Sequence, residues 1–166
     1  MQSPLKSLFT LLALLATFCF APTAQAAAKA DPLSIVHAYM DGWNKHDPNL
    51  AAMNLDFDVE YYDATVGESQ FGVVPARDNV IKFFIAALPD LKWKMVGEPV
   101  VSKDSIAFRW VFTGTNTGIP FEGTKPTGKA ISLNGLSLIR VKNGHIVYQG
   151  DFYDALTLKK QLGLIK

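Results

Sequence analysis

From Leu33 onward the apolar positions recur at helical spacing: Leu33, Val36, Met40 and Trp43, with Ile35 and Tyr39 beside them. Asp31-Pro32 in front supplies an N-cap and a proline at the first helical position. Asp47-Pro48 disfavours continuation past His46. A short second helix is predicted over 49–54. Residues 57–65 are aromatic and β-branched, as a strand is, and 67–75 reads as a loop. Residues 77–88 carry the stripe Val80, Ile81, Phe83, Phe84 and Ala87 of a third helix, which Pro89-Asp90 ends. Beyond that point the period changes from helical to alternating. Strands are predicted over 91–102, 105–115, 129–142 and 145–152, joined by Lys103-Asp104, by a longer connection over 116–128, and by Asn143-Gly144. The last joint is a strong two-residue hairpin signal. A short closing helix follows, with Asp154 as N-cap, Ala155, Leu156, Leu158 and Leu162 as its apolar positions, and Gly163 as its stop.

Helices, a strand, a helix and then a meander of long strands imply an α+β fold rather than a parallel α/β sheet. The expected architecture is a cone: a curved antiparallel sheet wrapped around the N-terminal helices. The mouth of such a cone is a natural small-molecule site.

The first residues belong to a different pattern. Lys6, an apolar run from Leu8 to Ala21 and then Ala24-Gln25-Ala26 have the form of a secretory signal peptide cleaved after Ala26. The run covers 14 residues, against about 20 for a spanning helix. Cys19 lacks the small residues before it that a lipoprotein signal needs. The expectation is therefore an exported protein, periplasmic or secreted, with residues 27–166 as one domain and no membrane span in its mature form. Lys6 is the only charge in the first 26 residues, which leaves the 16 basic and 15 acidic residues of the chain balanced after cleavage. No basic stripe marks a nucleic-acid partner. The single cysteine leaves with the signal, so no disulfide supports the core. His37, His46 and His145 are far apart and no CxxC, HxH or nucleotide-binding glycine motif occurs, so no metal or cofactor is expected.

Several short motifs then carry a family resemblance. Trp110-Val111-Phe112-Thr113-Gly114-Thr115-Asn116-Thr117-Gly118 resembles an FTGTHTG strand end, and Pro126-Thr127-Gly128-Lys129 resembles a PTGK turn. Asn143-Gly144-His145-Ile146-Val147 is similar to a DGKIV hairpin, and Leu88-Pro89-Asp90-Leu91 to FPDL. The ending Asp151-Phe152-Tyr153-Asp154-Ala155-Leu156 with Gln161-Leu162-Gly163 resembles D-x-x-D-x-L…QLG. In this order they resemble the SnoaL-like polyketide/ester cyclases of the nuclear transport factor 2-like superfamily. The resemblance implies a homodimer formed through the sheet face and a deep apolar pocket for a small hydrophobic molecule. It also implies a last-strand aspartate acting as general acid/base, without metal or cofactor; by position this is Asp151. Relatives on this fold close polyketide rings, isomerise ketosteroids or open epoxides, and others have no catalytic role. The chain departs from the pattern at Asn116 and Ser137, where relatives often carry histidine, and at Gly150, where tryptophan is common.

Three function classes follow: a cofactor-free cyclase, lyase or isomerase acting on a small carbonyl compound, a non-catalytic carrier of a hydrophobic ligand, or an interaction module that dimerises through its sheet around a filled cone. Strand alternation puts Gln149, Asp151 and Tyr153 on one face and Tyr148, Gly150 and Phe152 on the other. If the first set faces the pocket, Asp151 is a desolvated carboxylate suited to proton transfer. Asp154 is a second catalytic candidate, although capping alone accounts for it. Asp63 reads as a turn residue or a second pocket carboxylate. Asn116, Asn134 and Tyr61 are candidate donors to a substrate carbonyl, and Trp43, Trp110, Phe112, Ser137 and Tyr153 complete the candidate binding set. Arg109 reads as one partner of an outward cross-strand ion pair, or as a binder of an acidic group in the pocket.

Overall fold

The computed structural model describes residues 31–121 and 123–166. The expected signal peptide and the leader over 27–30 lie outside the described residues. Helix α1 (Pro32–Asn44) and the one-turn α2 (Pro48–Ala52) open the chain. The side chain of Asp31 does not cap α1; it is Asp47 that accepts the Asn49 and Leu50 amides and caps α2. Proline at the first position of each helix costs nothing, because that amide has no helical partner.

Strand β1 (Leu55–Asp63) follows, and then the first departure from the sequence expectation. The predicted loop over 67–75 contains a short strand, β2 (Ser69–Phe71), and the start of a helix. That helix runs as α3 (Val73–Pro75), a π-helical segment (Ala76–Ile81) and α4 (Lys82–Ala87). The periodicity in 77–88 detects its core-facing part. Its first turn, Val73-Val74-Pro75 after Gly72, is too short and proline-bearing to show a helical stripe.

The rest is β3 (Lys92–Val101), β4 (Ser105–Thr115), β5 (Ala130–Lys142), β6 (His145–Tyr153) and α5 (Ala155–Leu162). The six strands form one curved sheet in the order β2-β1-β6-β5-β4-β3. All neighbours are antiparallel except β1 and β6, which run parallel. That pairing is long-range and closes the sheet over the last strand. Asn143 and Gly144 both adopt positive φ, as a two-residue hairpin turn with the twist of its strands requires. The β3–β4 register shifts between Val96 and Val100, with Gly97 at φ +72°, a bulge that bends the sheet.

Curvature brings the inner sheet face around α1 and α4. Trp43 packs edge-on against Trp93, and Tyr39 against the same ring, with centroids 5.6 and 5.8 Å apart. The outer face keeps apolar groups in solvent: Leu136 and Phe152 are exposed, and Phe152 stacks on Tyr62 at 5.5 Å. Among the described residues no helix is long and apolar enough to cross a membrane.

Candidate functional site

The inner ends of β1, β4, β5 and β6 converge on one pocket. Its wall is Trp43, Tyr61, Phe84, Trp93, Trp110, Phe112, Leu133 and Tyr153, with the carboxylates of Asp63 and Asp151 set into it. The free space is narrow, about 30 Å³, room for one or two waters. Among the described residues no lysine, arginine or histidine lines it.

Register places these groups. Ser137 of β5 and Asp63 of β1 are the cross-strand partners of Asp151 on β6. Gln149 precedes Asp151 by two residues and so shares its face. The carboxylate therefore receives a donor from each side. Ser137 Oγ donates to Oδ1 at 2.5 Å, Gln149 Nε2 to Oδ1 at 2.6 Å, and Tyr61 OH to Oδ2 at 2.7 Å. Behind this shell Trp110 Nε1 donates to Ser137 Oγ at 2.8 Å. Gly135 permits that contact: a Cβ there would lie 2.2 Å from the Trp110 ring, so only glycine lets the indole lie flat on β5.

Burial raises the Asp151 carboxyl to about pH 7; the Ser137 hydrogen bond opposes the shift and the nearby Asp63 charge adds to it. Asp63 is itself raised, again chiefly by burial, with the Val66 and Thr65 amides and the Tyr153 hydroxyl opposing. It performs both roles considered from sequence. Its Oδ1 accepts the Thr65 and Val66 amides of a turn, and both oxygens accept Tyr153 OH at 3.0 and 3.1 Å. Tyr61 is raised well above the usual phenol range by burial and by the Asp151 charge, and it stays a neutral donor. Tyr39 Oη, Trp43 Nε1 and Gln149 Oε1 are buried without a hydrogen-bond partner of good geometry. Trp43 and Tyr61 nonetheless lie near enough to Tyr39 to offset part of its burial-driven rise.

The pocket thus gathers Asp151, Tyr61, Trp43, Trp110, Phe112, Ser137 and Tyr153 from the candidate set. It does not gather three others. Asp154 is exposed, lies outside the pocket lining and accepts the amide and hydroxyl of Thr157, which makes it the N-cap of α5. Asn116 is fully buried but faces its own loop, donating to Ala87 O and accepting from Thr127 N and Thr127 Oγ1. Asn134 follows the inward Leu133 and so points outward into solvent. Arg109 is exposed on the outer face, away from the pocket, and among the described residues it makes no ion pair, so only the outward half of its expectation holds. His46 Nε2 donates to Leu91 O at 2.9 Å, a structural link. Gln149 was absent from the candidates; its i, i+2 position to Asp151 is the signal that finds it.

A family model described as SnoaL-like polyketide cyclase matches residues 34–162. Among curated proteins no sequence match was found. Solved structures similar to the chain include AclR of Streptomyces galilaeus, with TM-score 0.69 and 21% identity over 83% of this chain and 84% of that one. A protein of ketosteroid isomerase-like fold from Catenulispora acidiphila, solved with trimethylamine, has TM-score 0.65 and 19% identity over 78% and 92%. TerC, co-crystallised with polyporic acid, has TM-score 0.65 and 12% identity over 80% and 98%. Likeness at these identities concerns the fold.

Proposed function

The chain belongs to the SnoaL-like polyketide cyclase family, and on that premise we propose that it is an exported, cofactor-free acid–base catalyst of the cyclase, lyase or isomerase type. Its substrate is a small, largely apolar carbonyl compound. One observation carries this reading: a carboxylate buried in an aromatic cone, raised to about pH 7 and oriented by Ser137, Gln149 and Tyr61. A base poised near neutral pH is matched to proton transfer from carbon. Asp151 takes the proton adjacent to the carbonyl, and the C–H electrons pass to the carbonyl oxygen. The same aspartate returns that proton elsewhere on the product. Tyr61 is committed to Asp151, and the unpartnered Nε1 of Trp43, a residue of the pocket wall, supplies the donor for the developing oxyanion. The exposed Leu136 and Phe152 on the outer sheet face are where a second copy would dock to make the homodimer.

The test starts with native mass spectrometry of the protein purified from its exported compartment, followed by denaturing analysis of any small molecule released. Turnover of that compound, or of a carbonyl panel if none is found, is then compared between wild type and Asp151→Asn. Unchanged turnover in the variant overturns the catalytic reading.

The second reading is a carrier that uses the same pocket without chemistry. Both oxygens of Asp151 already accept hydrogen bonds, and that favours it. The molecules seen with fold relatives, trimethylamine and polyporic acid, are small but chemically unlike.

A further inference from the structure

Proton transfer at Asp151 leaves the second pocket carboxylate, Asp63, without a part. Strand β1 carries Tyr61 and Asp63 on one face, two residues apart. Its parallel pairing with β6 sets Tyr61 beside Gln149 and Asp63 beside Asp151. Both β1 side chains are buried and both line the pocket. They act on Asp151 in opposite senses. Tyr61 donates to Asp151 Oδ2 and stabilises its anion. Asp63 brings a like charge, which opposes that anion.

Asp63 is clasped where it stands. Its Oδ1 accepts the Thr65 amide at 2.8 Å and the Val66 amide at 3.1 Å. Tyr153 OH, arriving from β6, donates to Oδ1 and Oδ2 at 3.0 and 3.1 Å. With that proton committed, the 2.6 Å contact between Thr65 Oγ1 and Tyr153 Oη runs one way: Thr65 donates and Tyr153 accepts. The clasp therefore joins the turn after β1 to the strand that carries Asp151. None of these bonds needs a charge. An asparagine accepts turn amides and a tyrosine hydroxyl as well. Burying a carboxylate without a cationic partner is costly, and among the described residues no lysine, arginine or histidine lines the pocket to offset that cost. The charge is the one property of Asp63 that the clasp leaves without a structural use.

We propose that Asp63 is a positioning residue for the chemistry of Asp151: a clasped carboxylate whose charge, set across from Asp151 on the neighbouring strand, makes Asp151 the stronger base. This rests on the acid–base reading of Asp151 given above. The charge of Asp63 contributes to the raised Asp151 carboxyl, while the charge of Asp151 is not among the causes that raise Asp63. Asp63 is therefore the anion already in place when Asp151 takes its proton. The other titratable groups facing the pair are Tyr39 from α1, Tyr61 from β1 and Tyr153 from β6. All three are held above the ordinary phenol range chiefly by burial, and they stay neutral. The helix α4 and the strands β3, β4 and β5 face the pair with aromatic rings, Leu133 and Ser137, none of which carries charge.

The experiment labels the aspartate carboxyls of the purified protein with carbon-13 and follows the Asp151 resonance, identified by its loss in Asp151→Asn, through a pH titration by NMR. Wild type, Asp63→Asn and Tyr153→Phe are compared. Asp63→Asn keeps the shape and the acceptor but removes the charge, and its Asp151 midpoint is expected about one unit lower. Tyr153→Phe keeps the ring and the charge but opens the clasp, and its Asp151 midpoint is not lowered. An unmoved midpoint in Asp63→Asn overturns the proposal. An equal fall in both variants overturns it too, because a clasp that only holds the pocket together gives that result. If Asp63→Asn fails to fold, wild type decides. Coupled carboxyls make the Asp151 resonance bend twice, once with each proton, and a single-step curve overturns the proposal. The titration needs no substrate, whereas the acid–base reading is judged by the effect of Asp151→Asn on turnover, so failure of one is told apart from failure of the other.

Discussion

Asp151 and Asp154 stand three residues apart with the same side chain, one on the last strand inside the cone and one at the first turn of α5 outside it. Burial lifts the first to about pH 7. The second is exposed and is held below the usual carboxylate range by the hydroxyl and amide of Thr157. Both accept good hydrogen bonds, so hydrogen bonding does not separate them. Solvent does: water stabilises the ionised Asp154, and the aromatic wall denies that to Asp151. The comparison teaches that a carboxylate becomes a base for neutral pH through what surrounds it.

The largest expected effect breaks or keeps this contrast directly. Asp151→Asn lowers kcat by roughly 10²- to 10⁴-fold, the range of a lost general base, while Asp154→Asn stays within about twofold. Steady-state kinetics on the identified substrate reads both. Wild-type kcat/KM rises with pH up to about 7 and then levels. A loss of equal size at both positions removes the distinction.

Next in size is the pH dependence of stability, where the two residues have opposite signs. The folded Asp151 carboxyl lies above its unfolded value, so the folded state binds more protons between about pH 4 and 7. Stability falls as pH rises through that window and levels above it, by a few kcal/mol at most. Asp154 has a depressed folded value; its contribution is present above the unfolded value and is lost as pH falls through the folded one. Denaturant unfolding of wild type and Asp151→Asn from pH 4 to 8 measures the difference. The variant has a shallower fall, not a flat line, because Asp63 is raised in the same direction.

Ser137→Ala sharpens the picture at one hydrogen bond. That bond opposes the rise of Asp151, so its loss moves the pH midpoint of kcat/KM upward by about one unit. An unmoved midpoint means that Ser137 only packs. The smallest effect belongs to Asp154→Ala, which removes the α5 cap and lowers the melting temperature by a few degrees. Thermal unfolding followed by circular dichroism checks it, with activity retained.

Much of the site was legible because it sits on a regular strand. The period of two put Gln149, Asp151 and Tyr153 on one face, and the structure has all three turned inward around the pocket. The closing helix read equally well: Asp154 caps and Gly163 stops it in the left-handed conformation. Asn116 and Asn134 misled for two reasons. A buried loop asparagine serves backbone as readily as a ligand, and the facing of β5 depends on register rather than on residue type. The first turn of the helix at Val73 was hidden because Gly72, Val73, Val74 and Pro75 carry no helical stripe.

Sequence alone determined the α+β class, the strand faces, the family and the aspartate on the last strand, because each depends on neighbours a few residues apart. Tertiary structure alone decided that β1 lies parallel to β6. That pairing sets Asp63 beside Asp151 and brings Tyr61 to its free oxygen, across 90 residues of chain for the Tyr61 bond. Local pattern cannot report such a juxtaposition, since nothing in either strand names its partner. The raised pKa follows from it, because desolvation is a property of the assembled cone and not of any segment that builds it.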